Sequence, residues 1–301
     1  MNILITGADG FIGTALRNYF KIHKFSLKVF AVERRSSAPH FLTCDLNSPH
    51  QLKKILRRVK PHVIFHLAGG RHIDNDMVWK ANFVLTKKLL DAVKDLKSIS
   101  PCIIIPGSAA EYGQVKKAQN PVSESALPRP FAWYGFVKYM QVCLGLAYAR
   151  KGLDVRIARI FNVSGYGSPS RLALGNFAEK ITEVERGKKP AVLKVDDLSG
   201  LRDFIDIEDV CSALWAIARK GKKGEVYNVC SGKGFRMRLL LRKLISYSHI
   251  KNIVVKEEQK AHTSTFDIVG SNTKIKRATS WRPRISLEQS LKNTLQYHRG
   301  L

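Results

Sequence analysis

Acidic residues are scarce in this chain: 24 Asp and Glu stand against 51 Lys and Arg, for a formal net charge of +27 over 301 residues. A field of that sign attracts anions such as phosphates, nucleotides, nucleic acid or an anionic membrane face, and says nothing about fold. Cysteine is sparse as well. Cys44, Cys102, Cys143, Cys211 and Cys230 are scattered, odd in number and form no CxxC pair. That argues against a zinc site or a disulfide framework and fits a reducing, cytoplasmic compartment. His66 and His72 flank Gly69-Gly70 without a second cluster at ligand spacing, so no metal is expected. No apolar run reaches the roughly 18 residues of a membrane-spanning helix. A strand that begins at residue 2 leaves no room for a signal peptide. Repeats and low-complexity tracts are also missing. What remains, with 45% apolar residues and 21 Gly, is a globular chain that can bury a substantial core.

The first half alternates short apolar runs with longer amphipathic stretches. Residues 3–5, 27–32, 63–67, 103–105 and 155–160 read as buried strands, and 11–24, 51–59, 76–96 and 134–151 as helices. Continuously apolar strands alternating with helices imply an α/β fold, a doubly wound parallel sheet covered on both faces. The rhythm changes near residue 165, with a loop at 165–171, a helix at 173–187, a linker at 188–201 and a helix at 206–220. The expected division is a dinucleotide-binding domain over 1–164, with returning segments near 202–220, and a smaller C-terminal α/β lobe for the substrate over 165–301.

Thr6-Gly7-Ala8-Asp9-Gly10-Phe11-Ile12-Gly13 joins the first strand to the first helix. Gly7 permits the tight turn, Gly10 the approach of a pyrophosphate, and Gly13 close helix–strand packing. The helix N-terminus then offers free N–H groups to the phosphates. Glu33 ends the second strand about twenty residues after Gly13, where an acid binds the ribose hydroxyls of NAD(H). Arg34 and Arg35 follow, with Ser36 and Ser37, and guanidinium groups there fork onto a 2′-phosphate. The two signals conflict. The paired arginines and serines tip the reading to NADP(H), with NAD(H) as the alternative.

Tyr134 and Lys138 lie four residues apart, on one face of a helix. A phenol with a pKa near 10 is a poor acid–base at neutral pH, and a neighbouring ammonium lowers that pKa. The pair can then exchange a proton with a carbonyl or alcohol oxygen. Ser108 follows the strand at 103–105 and so reaches the carboxyl edge of the sheet, where its hydroxyl can hold the same oxygen.

Taken in order, these features resemble the extended short-chain dehydrogenases/reductases, the NAD-dependent epimerase/dehydratase family, which act largely on nucleotide sugars. Further landmarks are Asp45-Leu46, His66–Gly69, Asn82 with Thr86, Leu89 and Leu90, Arg159–Asn162 and Arg202–Val210. The resemblance implies that Phe11 and Ile12 meet the pyrophosphate through their N–H groups and that Asp45 and Leu46 contact adenine. It implies that Leu67, Ala68 and Gly69, with Asn82, line the cofactor, and that Lys138 also bonds the nicotinamide ribose. Asn162 is similar to a sugar contact, Arg202 to a diphosphate-gripping arginine, and Arg171 to a further substrate-side arginine.

Within that family, 4,6-dehydratases carry an acidic pair directly after the catalytic hydroxyl. Here Ala109 and Ala110 occupy those positions, and Glu111 comes one place later, on another face. Residues 107–113, 224–232 and 281–291 are instead similar to GDP-4-keto-6-deoxy-D-mannose reductases and related 4-ketosugar reductases. The implied activity is reduction of a nucleotide-linked 4-keto-6-deoxyhexose, GDP-linked by preference, in a cytoplasmic homodimer built on the helices at 76–96 and 134–151. The product would feed surface polysaccharide synthesis. The family's His and Pro after Phe-Asn are replaced, since this chain has Val163-Ser164-Gly165-Tyr166. An NDP-sugar 4-epimerase uses the same Ser, Tyr and Lys and is the alternative. A non-enzymatic cofactor- or nucleic-acid-binding role is the remote one, because the basic clusters are dispersed and lack interleaved aromatics.

Overall fold

The computed structural model describes residues 1–34, 41–70, 74–258 and 267–300. Its centre is a seven-stranded parallel sheet. The strands are β1 (Asn2–Thr6), β2 (Lys28–Glu33), β3 (Phe41–Thr43), β4 (Val63–His66), β5 (Cys102–Ser108), β6 (Asp154–Ile160) and β10 (Val226–Val229). They run in the order β10-β6-β5-β4-β1-β2-β3. The chain winds outward from β1 to β3, then returns to lay β4, β5 and β6 on the other side of β1. The direction therefore reverses at the β1/β4 crevice, where open α/β sheets bind their ligands.

Alternation within each buried strand supplies both layers. Ile3, Ile5, Phe65 and Ile104 face α1 (Phe11–Ile22) and α7 (Ile207–Lys220) in one core. Leu4, Ile64, Ile103, Ile105 and Ile157 face the opposite way, with Leu52, Leu56, Leu89, Leu90 and Val142. Those partners lie on α2 (Pro49–Val59), α4 (Leu85–Asp95) and α5 (Trp133–Arg150). Burying apolar surface at roughly 25 cal/mol per Å² on both faces holds the three layers together.

Two expectations need correction. The stretch at 76–96 is not one helix: α3 (Asn75–Trp79) passes through a π-helical turn (Lys80–Val84) into α4. The side chain of Asn82, inside that turn, bonds the backbone of Gly70 outside the helix, a demand that helical periodicity does not register. The linker at 188–201 contains β8 (Val192–Val195), which pairs with the distant β12 (Val254–Glu257).

The residues beyond 164 build a separate core from α6 (Ala173–Glu185), α8 (Met237–Ser246) and α10 (Leu287–Arg299) over β8 and β9 (Leu201–Asp206). β9 joins β7 (Asn162–Ser164) and β11 (Gly234–Arg236) in a three-stranded sheet. A short α9 (Thr273–Thr279) completes the chain order.

Candidate active site

All strands of the central sheet are parallel, so Thr6, Glu33, His66, Ser108 and Ile160 end at one edge. The glycine loop opens there. Gly7 has φ +66°, and a Cβ on it would fall 2.6 Å from the Ala68 nitrogen. A Cβ on Gly13 would fall 2.1 Å from the Gly7 carbonyl oxygen. Helix α1 therefore seats directly on its own loop. Gly10 is its N-cap, no side chain caps it, and its first turn carries no acid. The first i→i−4 bond is donated by Thr14 to the Gly10 carbonyl, which leaves the N–H groups of Phe11, Ile12 and Gly13 for a ligand. That donor set and its partial positive charge fit a dinucleotide pyrophosphate.

At the end of β2, the Glu33 carboxylate accepts from the Asp9 N–H at 2.9 Å, which braces the loop. Burial, with Asp9 nearby, holds its pKa above the usual carboxylate range. Arg34 is exposed, whereas Arg35, Ser36, Ser37 and His72 lie outside the described residues. Asp45 accepts from the Asn47 N–H in the turn before α2, and Leu46 is buried. The segment 67–70 runs beside the glycine loop: Leu67 donates to the Thr6 carbonyl and Ala68 to the Thr6 hydroxyl. Asn82 is 1% exposed and binds both the N–H and the carbonyl of Gly70, and also Val78 O. Its amide is spent on protein, so any part it has in holding a cofactor runs through the loop it ties down.

Ser108 is the last residue of β5 and N-caps the short turn Ala109–Glu111 through the Ala110 N–H. Tyr134, half-buried, lies in the first turn of α5. The helix starts hard against that turn, since a Cβ on Gly135 would fall 2.4 Å from the Ala110 carbonyl oxygen. One turn on, Lys138 is 4% exposed and donates to the Pro106 carbonyl at 2.5 Å and to the Gln141 side-chain carbonyl. Burial pulls its pKa down to about 8, partly countered by the charge of Glu111.

Glu111 is fully buried. It accepts from the Ser108 N–H at 2.6 Å and from the Arg159 guanidinium at 2.8 Å. Arg159 also donates to the Tyr112 hydroxyl, which donates to Asn228. The carboxylate charge holds Arg159 firmly cationic.

On the substrate side, Asn162 donates to the Asp203 carbonyl and Arg202 to the Leu201 carbonyl. Burial lowers the pKa of Arg202, the mark of a guanidinium short of water. Asp203 is fully buried and accepts from the N–H groups of Ser231, Gly232 and Gly270 and from the Ser231 hydroxyl. The loop after β7 lies against the phosphate-loop helix, since a Cβ on Gly167 would fall 3.6 Å from the Phe11 ring, and it ends at the exposed Arg171. The structure therefore gathers Ser108, Tyr134 and Lys138 at the edge that carries the glycine loop. Sequence reasoning missed Gln141 and the buried pairing of Glu111. Each is defined by partners far off in the chain.

A doubly wound sheet, an uncapped glycine loop and a Ser/Tyr/Lys group at the same edge define a dinucleotide-dependent enzyme of the reductase type. Comparison with known proteins makes this specific. Residues 3–230 match the model of the NAD dependent epimerase/dehydratase family, and the chain belongs to it. It is 29% identical over 97% of its length, and 95% of the relative's, to GDP-6-deoxy-D-mannose reductase of Pseudomonas aeruginosa. It is 27% identical to GDP-6-deoxy-D-talose 4-dehydrogenase of Aggregatibacter actinomycetemcomitans over 91% and 90% of the two chains. Among solved structures, RMD from Pseudomonas aeruginosa complexed with NADPH superposes with a TM-score of 0.89 at 28% identity, covering 99% of both chains. UDP-glucose 4-epimerase of Thermotoga maritima, with UDP-glucose, matches at 0.85 and 25% identity over 100% of this chain and 99% of the other. NAD(P) is thus the cofactor class, and no helix among the described residues is long and apolar enough to cross a membrane.

Proposed function

We propose that this protein reduces a nucleotide-linked 4-keto-6-deoxyhexose, GDP-linked by preference, to the 4-hydroxy sugar. One observation carries the choice among the family's reactions. The two positions after Ser108 are Ala109 and Ala110, and the one nearby acid, Glu111, is sealed in an ion pair with Arg159. No carboxyl group of that segment is free to move a proton at C5 or C6, so elimination of water is disfavoured and reduction at C4 remains. The similarity to reductases and 4-dehydrogenases of GDP-6-deoxysugars supports the nucleotide and the sugar class.

The bound NAD(P)H supplies the hydride. The chain's own groups do the rest. Ser108 donates a hydrogen bond to the C4 oxygen, Tyr134 gives that oxygen its proton, and Lys138 stabilises the phenolate left behind and binds the nicotinamide ribose. Gly7, Gly10 and Gly13, with the N–H groups of Phe11 and Ile12, hold the pyrophosphate; Asp45 and Leu46 receive adenine, and Leu67, Ala68 and Gly69 wall the cofactor. Asn162 and Arg171 orient the sugar nucleotide, and Arg202 grips its diphosphate. Residues 1–164, with the returning segments near 202–220 and the strand β10, form the cofactor half, and most of the later residues the substrate half.

NADP(H) is the preferred form. The Glu33 carboxylate is turned onto the Asp9 N–H, and Arg34 is exposed beside it for a 2′-phosphate. A cytoplasmic homodimer is the working form. Helix α5 carries apolar residues on most of its surface, and exposed Phe136 with half-buried Met140 and Cys143 forms one stripe that the rest of the chain leaves partly uncovered.

The test follows loss of reduced-cofactor absorbance with enzymatically made GDP-4-keto-6-deoxymannose, and uses Tyr134→Phe as the control. Oxidation that drops by a factor of about 10² to 10⁴ in the variant, with cofactor binding intact, supports the reading. No oxidation by a protein that still binds NADPH overturns it and redirects the search to UDP- and dTDP-sugars and to epimerisation.

A further inference from the structure

Beneath the catalytic lysine, a run of buried polar side chains crosses three elements. Gln141, on α5, is fully buried; its amide nitrogen donates to the Thr86 hydroxyl at 2.7 Å. Thr86, on α4, is fully buried and donates to the Asn82 carbonyl at 2.5 Å. His66, at the end of β4, lies 3.0 Å from Thr86 through Nε2 and 2.9 Å from the Thr6 hydroxyl through Nδ1.

The hydrogens in this run have one consistent direction. The Thr86 proton goes to the Asn82 carbonyl, which can only accept. Thr86 must then accept from both Gln141 and His66, so the imidazole carries its proton on Nε2 and accepts from Thr6 on Nδ1. With its nitrogen committed to Thr86, the Gln141 amide has to present its oxygen to Lys138. The flipped amide would set an NH₂ against an ammonium. Lys138 has three N–H bonds, and the Pro106 and Gln141 carbonyls take two of them. One is left for the site.

We propose that Gln141 is a positioning residue for Lys138: its side-chain carbonyl, oriented through Thr86, aims the single remaining N–H of the ammonium at the catalytic opening. The proposal rests on the reductase reading for its link to turnover, but its geometry is independent of the substrate. The other titratable and charged groups facing Lys138 are Glu111 after β5, whose charge favours the ammonium, neutral His66 on β4, and Tyr134 on its own helix; Arg159 on β6 stands behind Glu111. Gln141 is the side-chain acceptor that touches the ammonium, beside the backbone carbonyl of Pro106.

Two substitutions separate positioning from mere packing, because they push the ammonium in opposite directions. Gln141→Leu removes the acceptor from a buried cation. Gln141→Glu keeps an acceptor and adds a negative charge. The readout is the titration of the Lys138 ¹³Cε resonance in ¹³C-lysine-labelled protein, assigned with Lys138→Arg. It needs no substrate. The Leu variant is expected to titrate at least about one pH unit below the native midpoint, and the Glu variant above it. The alkaline limb of ketosugar reduction should move with each, since the rate falls as Lys138 loses its proton. Midpoints unchanged in both, or displaced in the same direction, overturn the proposal. If the Leu variant does not fold, an unmoved midpoint in the Glu variant alone suffices to overturn it. Displaced midpoints in a protein that reduces no ketosugar would sink the reductase reading and leave the positioning role standing.

Discussion

His66 is a neutral base in a dry place. Burial, and then the charge of Lys138, push its pKa down to about 3. The unfolded chain takes up that proton near pH 6.5, whereas the folded one does not. Stability from this group is therefore complete above about pH 6.5 and is lost as pH falls toward 3, at up to about 1.4 kcal/mol per pH unit. Asp203 and Asp206, raised by burial to about 6, act in the opposite sense, binding protons first in the folded state. Urea unfolding of native protein and His66→Gln between pH 7 and 5 should isolate the histidine. We expect the variant to lack about one proton's worth of slope. A second residue-scale prediction concerns Arg159. Its removal in Arg159→Met strands the Glu111 carboxylate in the interior, and should cost about 3–5 kcal/mol in the same assay at neutral pH. Arg159→Met with Glu111→Leu should recover much of that loss.

At the scale of elements, β1, β2, β4, β5 and β6 were legible as continuous apolar runs, and α1, α2, α5, α6 and α7 as helical stretches. β5 and β6 read as apolar runs because both faces are covered, and Ser108, Tyr134 and Lys138 were singled out by strand-end position, helical spacing and the order of the family landmarks together. Two kinds of feature escaped. β8 is four residues long in a lysine-rich setting, and it exists only because β12 lies beside it some sixty residues later. Gln141 reads as an ordinary polar helix residue until Thr86 is brought against it. In each case the decisive partner is remote, and local pattern carries no trace of it. The fit of α1 to its loop can be tested directly. Gly13→Ala places a methyl carbon against the Gly7 carbonyl oxygen and must lift the helix. NADPH binding should weaken by at least about tenfold, a loss of about 1.4 kcal/mol, measured by fluorescence titration. Asn82→Ala should also weaken it, by stripping the Gly70 backbone of both partners.

At the scale of the molecule, the charge of +27 acts on two anionic ligands at once. Their KM values should rise together as salt increases from about 50 to 300 mM, while kcat changes little, because screening weakens capture rather than chemistry. Met140→Glu places a carboxylate on the apolar stripe of α5. Light scattering should show it as a monomer if that stripe is the contact between subunits.

The strand order also has a consequence for how this chain is made. β6 is finished at Ile160, but its outer neighbour β10 begins only at Val226. About sixty-five residues, at about 5–20 residues per second, must leave the ribosome in between. For several seconds the growing sheet presents a bare edge of Asp154–Ile160, and α7, which covers much of one face, arrives just before the strand that closes it. Released chains truncated near residue 220 should aggregate through that edge, whereas chains extended past residue 230 should lose the part of the aggregation that the edge causes.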